Sequence, residues 1–190
     1  MEKKRIFIAI NLENEIKNYL SVIQNTINLT NSKIKWVNKR NLHITLNFLG
    51  YQSLAQIEQT TKILEGITPF HNSFIVGLSS MIGFFSSHKT PRTIWIGIEK
   101  GSDNLKKIYD DLRYSLSREN LSRENNKFSS HITIGRVKYI YDKKYFMDIL
   151  KNIDIKKMSQ KIKSIELMES NLTSTGPIYS IVNSFSFDDK

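Results

Sequence analysis

The sequence predicts an α+β fold built from antiparallel sheets. Three observations carry that expectation. Four stretches with helical spacing of apolar residues interleave with seven or more strand-like runs. The strand-like runs are too irregularly spaced for a simple βαβ series. One short motif, His-Ile-Thr-aliphatic, occurs twice, at His43 and His131, 88 residues apart in a chain of 190. A pseudo-duplicated fold places a motif in that way.

The elements follow in order. Arg5–Asn11 reads as a strand. Glu13 to about Leu29 reads as a helix with Ile16, Leu20, Ile23 and Ile27 on one face. Ile34–Val37 and Leu42–Leu49 are strands. Ser53 caps a helix carrying Leu54, Ile57 and Leu64. Phe74–Phe85 and Thr93–Glu99 are strands, and Ser102 or Asp103 caps a helix with Leu105, Ile108, Tyr109, Leu112 and Leu116 inside. His131–Ile140 is a strand and Lys143–Ile153 a helix. Ile162–Leu172 and Ile178–Phe187 close the chain as strands. The three prolines, Pro69, Pro91 and Pro177, read as turn residues. No low-complexity linker divides the chain, so residues 1–190 read as one compact unit.

Composition narrows the chemistry. There is no cysteine, which excludes a disulfide framework, a thiolate nucleophile and any Cys-ligated metal. Lys plus Arg is 28 and Asp plus Glu is 18, a formal charge of +10 that points to an anionic partner. That charge is shared by both halves, with no basic or acidic tail. The apolar run Ile6–Ile10 is too short for a signal peptide, and no segment approaches a membrane span of ~20 apolar residues. The expectation is a cytoplasmic protein with no membrane contact.

The repeated motif has a physical reading. In Leu42–Phe48 the apolar residues Leu42, Ile44, Leu46 and Phe48 alternate with His43, Thr45 and Asn47. Alternate residues of a strand point to opposite faces, so the apolar set packs on helices while His43 and Thr45 project together, about 6.6 Å apart along the strand. The second copy buries Ile132 and Ile134 and presents His131, Thr133 and Gly135 opposite. Two such sheets can face each other across a cleft. Imidazole titrates near pH 6.5, so one ring can accept a proton while the other donates one. Two Thr hydroxyls can hold the oxygens of an anion between them. That set suits the metal-free opening of a strained phosphodiester. Acids are scarce along the chain here: none occurs between Glu15 and Glu58, or between Glu124 and Asp142. Lys17, Lys33, Lys35, Lys39 and Arg40 fall in the first window, and Lys127, Arg136 and Lys138 in the second.

On these motifs the chain resembles the two-histidine (2H) phosphoesterases, and among them the LigT-like RNA 2',3'-cyclic phosphodiesterases. The resemblance spans Arg5–Ile10, Trp36-Val37, Asn41–Gly50, Gly83-Phe84-Phe85, Pro91-Arg92, Trp95-Ile96-Gly97, Phe128–Arg136, Glu169-Ser170 and Gly176–Tyr179. Departures concern loops: Asn38 and Lys39, and Ser130, stand where the family often has Pro.

The resemblance implies two pseudo-symmetric lobes, each an antiparallel sheet backed by helices, with the active-site cleft between them. It implies hydrolysis of a 2',3'-cyclic phosphate on RNA to a 2'-phosphomonoester, with reverse 2'–5' joining of RNA ends in some members. It implies His43 as proton donor to the leaving 3' oxygen and His131 as proton acceptor. Thr45 and Thr133 would bind phosphate oxygens, and Arg136 matches a basic residue near the phosphate. No metal and no cofactor is implied. The partners are RNA ends or cyclic-phosphate nucleotides, met by a monomer.

Other residues receive plainer readings. His71 and His88 belong to loops, with His88 able to border the cleft. Arg92 and Lys39 are solvated or loosely touch RNA. Trp36, Trp95 and Tyr179 belong to the core, with stacking on a base as the alternative. Gly50, Gly97 and Gly135 end or bulge strands. Two functions compete with the lead: a superfamily member acting on a small cyclic nucleotide or ADP-ribose cyclic phosphate, and a non-catalytic RNA-binding module. Simple binding does not call for two imidazoles in matched motifs.

Overall fold

The first apolar run becomes a central strand. The computed structural model describes residues 2–28, 32–87, 90–122, 127–174 and 176–188. In it β1 (Lys3–Asn11) pairs on one side with β3 (His43–Ser53) and on the other with β8 (Ser164–Thr173). Ile6 to Ile10 are all buried, because β1 is covered on both faces.

Among the described residues the remaining elements are α1 (Asn14–Asn28), β2 (Lys33–Trp36), α2 (Leu54–Ile67), β4 (Phe74–Ser87), β5 (Thr90–Ile98), α3 (Ser102–Arg118), β6 (His131–Tyr139), α4 (Lys143–Asn152), β7 (Ser159–Ile162) and β9 (Gly176–Ser186). The expected end of the first helix at Leu29 lies outside the described residues. All strand pairings are antiparallel, in the order β7-β4-β5-β6-β3-β1-β8-β9, with β2 added beside β6. The mixed α+β class is therefore as expected, and the sheet curls into two halves. They meet at the seam between β3 and β6, where the register holds one pair, Ile44 with Ile132.

The helices lock the halves together. The helix α1 follows β1 yet packs on β6, and α3 follows β5 yet packs on β3. With α2 on β1 and β3 and α4 on β4, each half is backed by helices on one side. The main core lies between sheet and helices, including Leu20, Leu42, Ile44, Ile96, Leu105, Leu112, Ile132 and Phe146. A second, small cluster of Phe7, Ala9 and Met168, with Tyr179 against it, lies on the other face of the β1 half.

Local chemistry accounts for most boundaries. Ser53 caps α2 through a capping box: Gln56 N donates to Ser53 Oγ at 3.3 Å, and Ser53 N donates to Gln56 Oε1 at 2.9 Å. Asp142 caps α4 by accepting from Tyr145 N at 2.9 Å. The cap of α3 is neither Ser102 nor Asp103 but Gly101, at φ +78°, where an added Cβ would meet Ile75 O at 2.4 Å. Glycine is needed there for both reasons, and Asp103 instead sits in the first turn, favourable to the helix dipole. The expected strand Ile162–Leu172 is β8, which starts only at Ser164, and beyond a break at Lys163 its first residue, Ile162, ends β7 instead. β7 pairs with β4 and β8 with β1, so the break carries the chain between the two halves. Pro91 and Pro177 are second residues of β5 and β9 rather than turn residues. Near a strand's start the missing N–H costs little.

One irregularity is duplicated. Ala9 pairs with Thr45 and Ile8 with Asn47, leaving Leu46 as an extra residue in β3. Trp95 pairs with Thr133 and Ile94 with Gly135, leaving Ile134 as an extra residue in β6. Each bulge directly follows the Thr of its motif. A bulge reverses the side-chain alternation beyond it. Asn47 is therefore buried and Phe48 is 53% exposed, opposite to the expectation that Phe48 joins Leu42, Ile44 and Leu46 in the core. In the same way Gly135 is buried rather than beside His131 and Thr133, and the exposed Arg136 takes the outward phase.

Candidate active site

The seam defines what faces the cleft. Ile44 and Ile132 pair with their side chains in the core. Their neighbours on each strand, His43, Thr45, His131 and Thr133, therefore project from the opposite face. In an antiparallel register His43 stands across from Thr133, and Thr45 across from His131. Four of the five expected site residues flank this seam, while Arg136 lies farther along β6, between Lys35 of β2 and Thr93 of β5.

Both imidazoles are anchored alike. His43 Nδ1 lies 2.7 Å from Asn41 O, and His131 Nδ1 lies 2.7 Å from Ser129 O. A carbonyl only accepts, so Nδ1 carries the proton in each neutral ring and Nε2 keeps its lone pair for chemistry. Beyond this the rings differ. Thr45 Oγ1 lies 2.8 Å from His43 Nε2 and, in that tautomer, donates to it. His131 has no equivalent bond to Thr133 among the described residues.

Aromatic rings enclose each imidazole. Phe7 and Tyr179 approach His43 at 5.1 and 5.4 Å between ring centroids. Phe85 and Trp95 approach His131 at 5.1 and 5.9 Å. Trp95 and Tyr179 thus border the site, where the sequence had placed them in the core. Gly83 makes room for this box, because a Cβ there would enter the Trp95 ring at 2.2 Å. Trp36 alone behaves as a packing residue, lying over Gly135 on the β2 side.

Burial shapes the electrostatics. Desolvation first, then Lys17 and His131, push His43 down to about 4, against the bond to Asn41. His131 is also lowered, by desolvation first and by Arg136. Both rings are neutral near pH 7 in the free protein. The Arg136 charge is felt at both His131 and Tyr179, disfavouring a proton on each.

A cavity of about 280 Å³ opens beside His43. Its walls include Asn11, Lys17, Arg40, Asn41, Tyr179 and Ile181. The fold also delivers a carboxylate that the acid-free windows conceal. Glu166 of β8 accepts from Ser164 Oγ at 2.7 Å and from Asn11 N at 3.2 Å. Desolvation raises its pKa, while these bonds and Lys17 act the other way. Phe7, Phe85, Trp95 and Tyr179 lie in blocks that carry the family resemblance, but it is strand pairing that sets them beside the imidazoles, and Glu166 lies outside every such block.

The remaining candidates lie elsewhere. His71 follows a short 3-10 turn (Thr68–Phe70), buried, with Nε2 3.1 Å from Asp111 Oδ2. Arg92 and Lys39 are exposed. His88 lies outside the described residues. Among the described residues no three His, Cys, Asp or Glu groups are placed to hold a metal ion, and no helix is long and apolar enough to cross a membrane.

Two half-sheets that each bring a His and a Thr to one cleft define a two-histidine phosphoesterase. Residues 6–187 match the family model described as the AKAP7 2'5' RNA ligase-like domain, and the chain belongs to that family. It is 36% identical to the RNA 2',3'-cyclic phosphodiesterase of Thermotoga maritima, over 97% of this chain and 96% of that protein. It is 33% identical to the enzyme of the same name from Methanocaldococcus jannaschii, over 94% of this chain and 98% of that one. The fold is that of TT0787 of Thermus thermophilus, with a TM-score of 0.83 and 21% identity, covering 98% of this chain and 99% of that one. It is also that of E. coli LigT complexed with 3'-AMP, with a TM-score of 0.78 and 22% identity at the same coverage.

Proposed function

We propose that this chain hydrolyses 2',3'-cyclic phosphate ends of RNA to 2'-phosphomonoesters, with His43 as general acid and His131 as general base. The observation that carries the reading is the matched anchoring of the two imidazoles. Each has Nδ1 bonded to the carbonyl two residues before it, which turns Nε2 to the reacting group. The names of the full-length relatives supply the substrate class.

The step balances as follows. His131 Nε2 takes a proton from water as its oxygen bonds to phosphorus. The P–O3' bond breaks, and His43 Nε2–H delivers a proton to O3'. The product carries a 2'-phosphate and a 3'-hydroxyl. The starting state has His43 doubly protonated, its Nε2 proton taken up from solvent as the phosphate anion binds, and His131 neutral; after the step His131 gives its extra proton to solvent and His43 takes one up. The same path with an RNA 5'-hydroxyl in place of water forms a 2'–5' linkage. Thr45, Thr133 and Arg136 hold the non-bridging oxygens.

Two features support the assignment of roles. His43 is the more enclosed ring, so a phosphate anion raises its proton affinity more strongly than in water. His131 is the more open ring, within reach of water. Thr45 must release His43 Nε2 when phosphate arrives, which frees its hydroxyl for a phosphate oxygen. We read residues 1–190 as one two-lobed domain, a cytoplasmic monomer acting in RNA processing.

The test is product analysis on an oligonucleotide ending in 2',3'-cyclic phosphate, in buffer containing EDTA. The expected product is the 2'-phosphomonoester. A 3'-phosphate product, or no turnover of this oligonucleotide and of 2',3'-cyclic AMP, overturns the reading.

A further inference from the structure

The cavity beside His43 lies on the leaving-group side of the cleft. In the proposed reaction the 3' oxygen departs toward His43, so the ribose and whatever its 5' carbon carries extend on that side. The walls there are cationic. Lys17 reaches in from α1 and donates to Arg40 O at 3.4 Å, which leaves it two further N–H donors. Arg40 comes from the 3-10 turn Lys39–Asn41. Neither has a carboxylate within ion-pair distance among the described residues. Glu166 is the nearby acid, but it is engaged by Ser164 and Asn11. Two cations against one acid leave the cavity a net positive site. Asn11 and Asn41 add polar wall, and Tyr179 and Ile181 an apolar one.

We propose that this cavity, walled by Lys17 and Arg40, is a subsite for the 5'-phosphate of the nucleotide that carries the cyclic phosphate. The inference rests on the proposed hydrolysis and adds to it a preference for chain ends over free cyclic nucleosides. A free nucleoside 2',3'-cyclic phosphate lacks that second phosphate and leaves the cations unpaired. An RNA end always supplies it.

The minimal test compares adenosine 2',3'-cyclic phosphate with the same compound phosphorylated at the 5' carbon. The pair differs in that phosphate and in nothing else. The wild-type protein is expected to prefer the 5'-phosphorylated compound in kcat/KM by roughly ten- to a hundred-fold, as charge-assisted bonds to one phosphate provide. The preference should shrink as salt rises. The double variant Lys17→Gln, Arg40→Gln should bring the ratio to within about three-fold of one, whatever common change both compounds show because Lys17 also acts on His43. A wild-type ratio near one, or a ratio that survives the double variant, overturns the proposal. A loss on both compounds that leaves the wild-type ratio unchanged overturns it, because the cavity then serves the base, the ribose or the cyclic phosphate. If the wild-type protein turns over neither compound, it is the proposed hydrolysis that fails. Calorimetric binding of the same two compounds to the wild-type and variant proteins then still reads the subsite. Equal affinities would reject it, and a 5'-phosphate preference lost in the variant would sustain it.

Discussion

The strands β3 and β6 carry the same motif, the same bulge after it and the same imidazole anchor, yet they build unlike halves of one site. Position by position, His43 matches His131, Thr45 matches Thr133, Leu46 matches Ile134, Asn47 matches Gly135 and Phe48 matches Arg136. The divergence begins beyond the bulge. On β6 the reversed phase turns a cation, Arg136, outward, and on β3 it turns out a phenyl ring, Phe48, that meets Phe7 at 6.1 Å. The surroundings differ as well. The cluster of Phe7, Ala9, Met168 and Tyr179 encloses His43, while His131 stands under the more exposed hairpin of β4 and β5. Duplication supplied two equivalent imidazoles, and unequal enclosure made them inequivalent. Unequal environments set apart the proton affinities of two groups that share one chemistry.

The comparison can be broken most severely at the histidines themselves. Replacing either His43 or His131 by Ala should lower kcat by roughly 10²–10⁴, measured on a cyclic-phosphate-ended oligonucleotide. Near-full activity in either variant would remove that residue from the chemistry.

The threonines sharpen the contrast. Thr45→Val and Thr133→Val should each slow turnover by roughly 10–10³-fold if each hydroxyl holds a phosphate oxygen as charge develops. They should differ in titration. Thr45 donates to neutral His43, so its loss should raise the His43 pKa in the free protein, followed by NMR. Thr133→Val should leave the His131 titration in place. Identical titration changes in the two variants would contradict the structural asymmetry.

A third contrast lies at the matched positions 47 and 135. An added Cβ at Gly135 would meet the Trp36 ring at 2.8 Å, so Gly135→Ala should destabilise the fold by about 1–3 kcal/mol. Asn47 is fully buried, and neither its Oδ1 nor its Nδ2 has a hydrogen-bond partner among the described residues. Asn47→Leu should therefore be neutral or stabilising by about 1 kcal/mol. Urea unfolding at pH 7 measures both.

The smallest effect is on stability against pH. The folded protein holds His43 near 4, below its ordinary value of 6.5, so between these the unfolded chain binds more protons. Stability from this group is complete above about pH 6.5 and falls as pH drops toward 4. His43→Asn should flatten that fall more than His131→Asn does.

The two motifs were legible in the sequence because a strand writes its faces at period two, and His43, Thr45, His131 and Thr133 kept that period. The helices were legible for the same reason at period 3.6, down to the Ser53 cap. The alternation failed one residue past each motif. A bulge leaves no mark in the pattern, so Phe48 was read inward, and only family resemblance kept Arg136 in the site. The residues around the imidazoles were hidden for another reason. Phe7, Phe85, Trp95, Glu166 and Tyr179 arrive by long-range strand pairing, and nothing near the motifs points to them. Likewise β7, Ser-Gln-Lys-Ile, is too polar to read as a strand, and its break from β8 at Lys163 is a matter of topology.

The most direct test of an acid on β3 and a base on β6 is the pH profile of kcat/KM in the wild-type protein and in the two single His→Ala variants. The wild-type profile should be bell-shaped with its maximum below pH 6.5, because both imidazoles are lowered in the free protein. His131→Ala should lose the acid-side limb, where a base must be deprotonated, and His43→Ala the alkaline limb, where an acid must be protonated. A wild-type profile that is flat between about pH 5 and 9, or two variants that lose the same limb, would contradict the account.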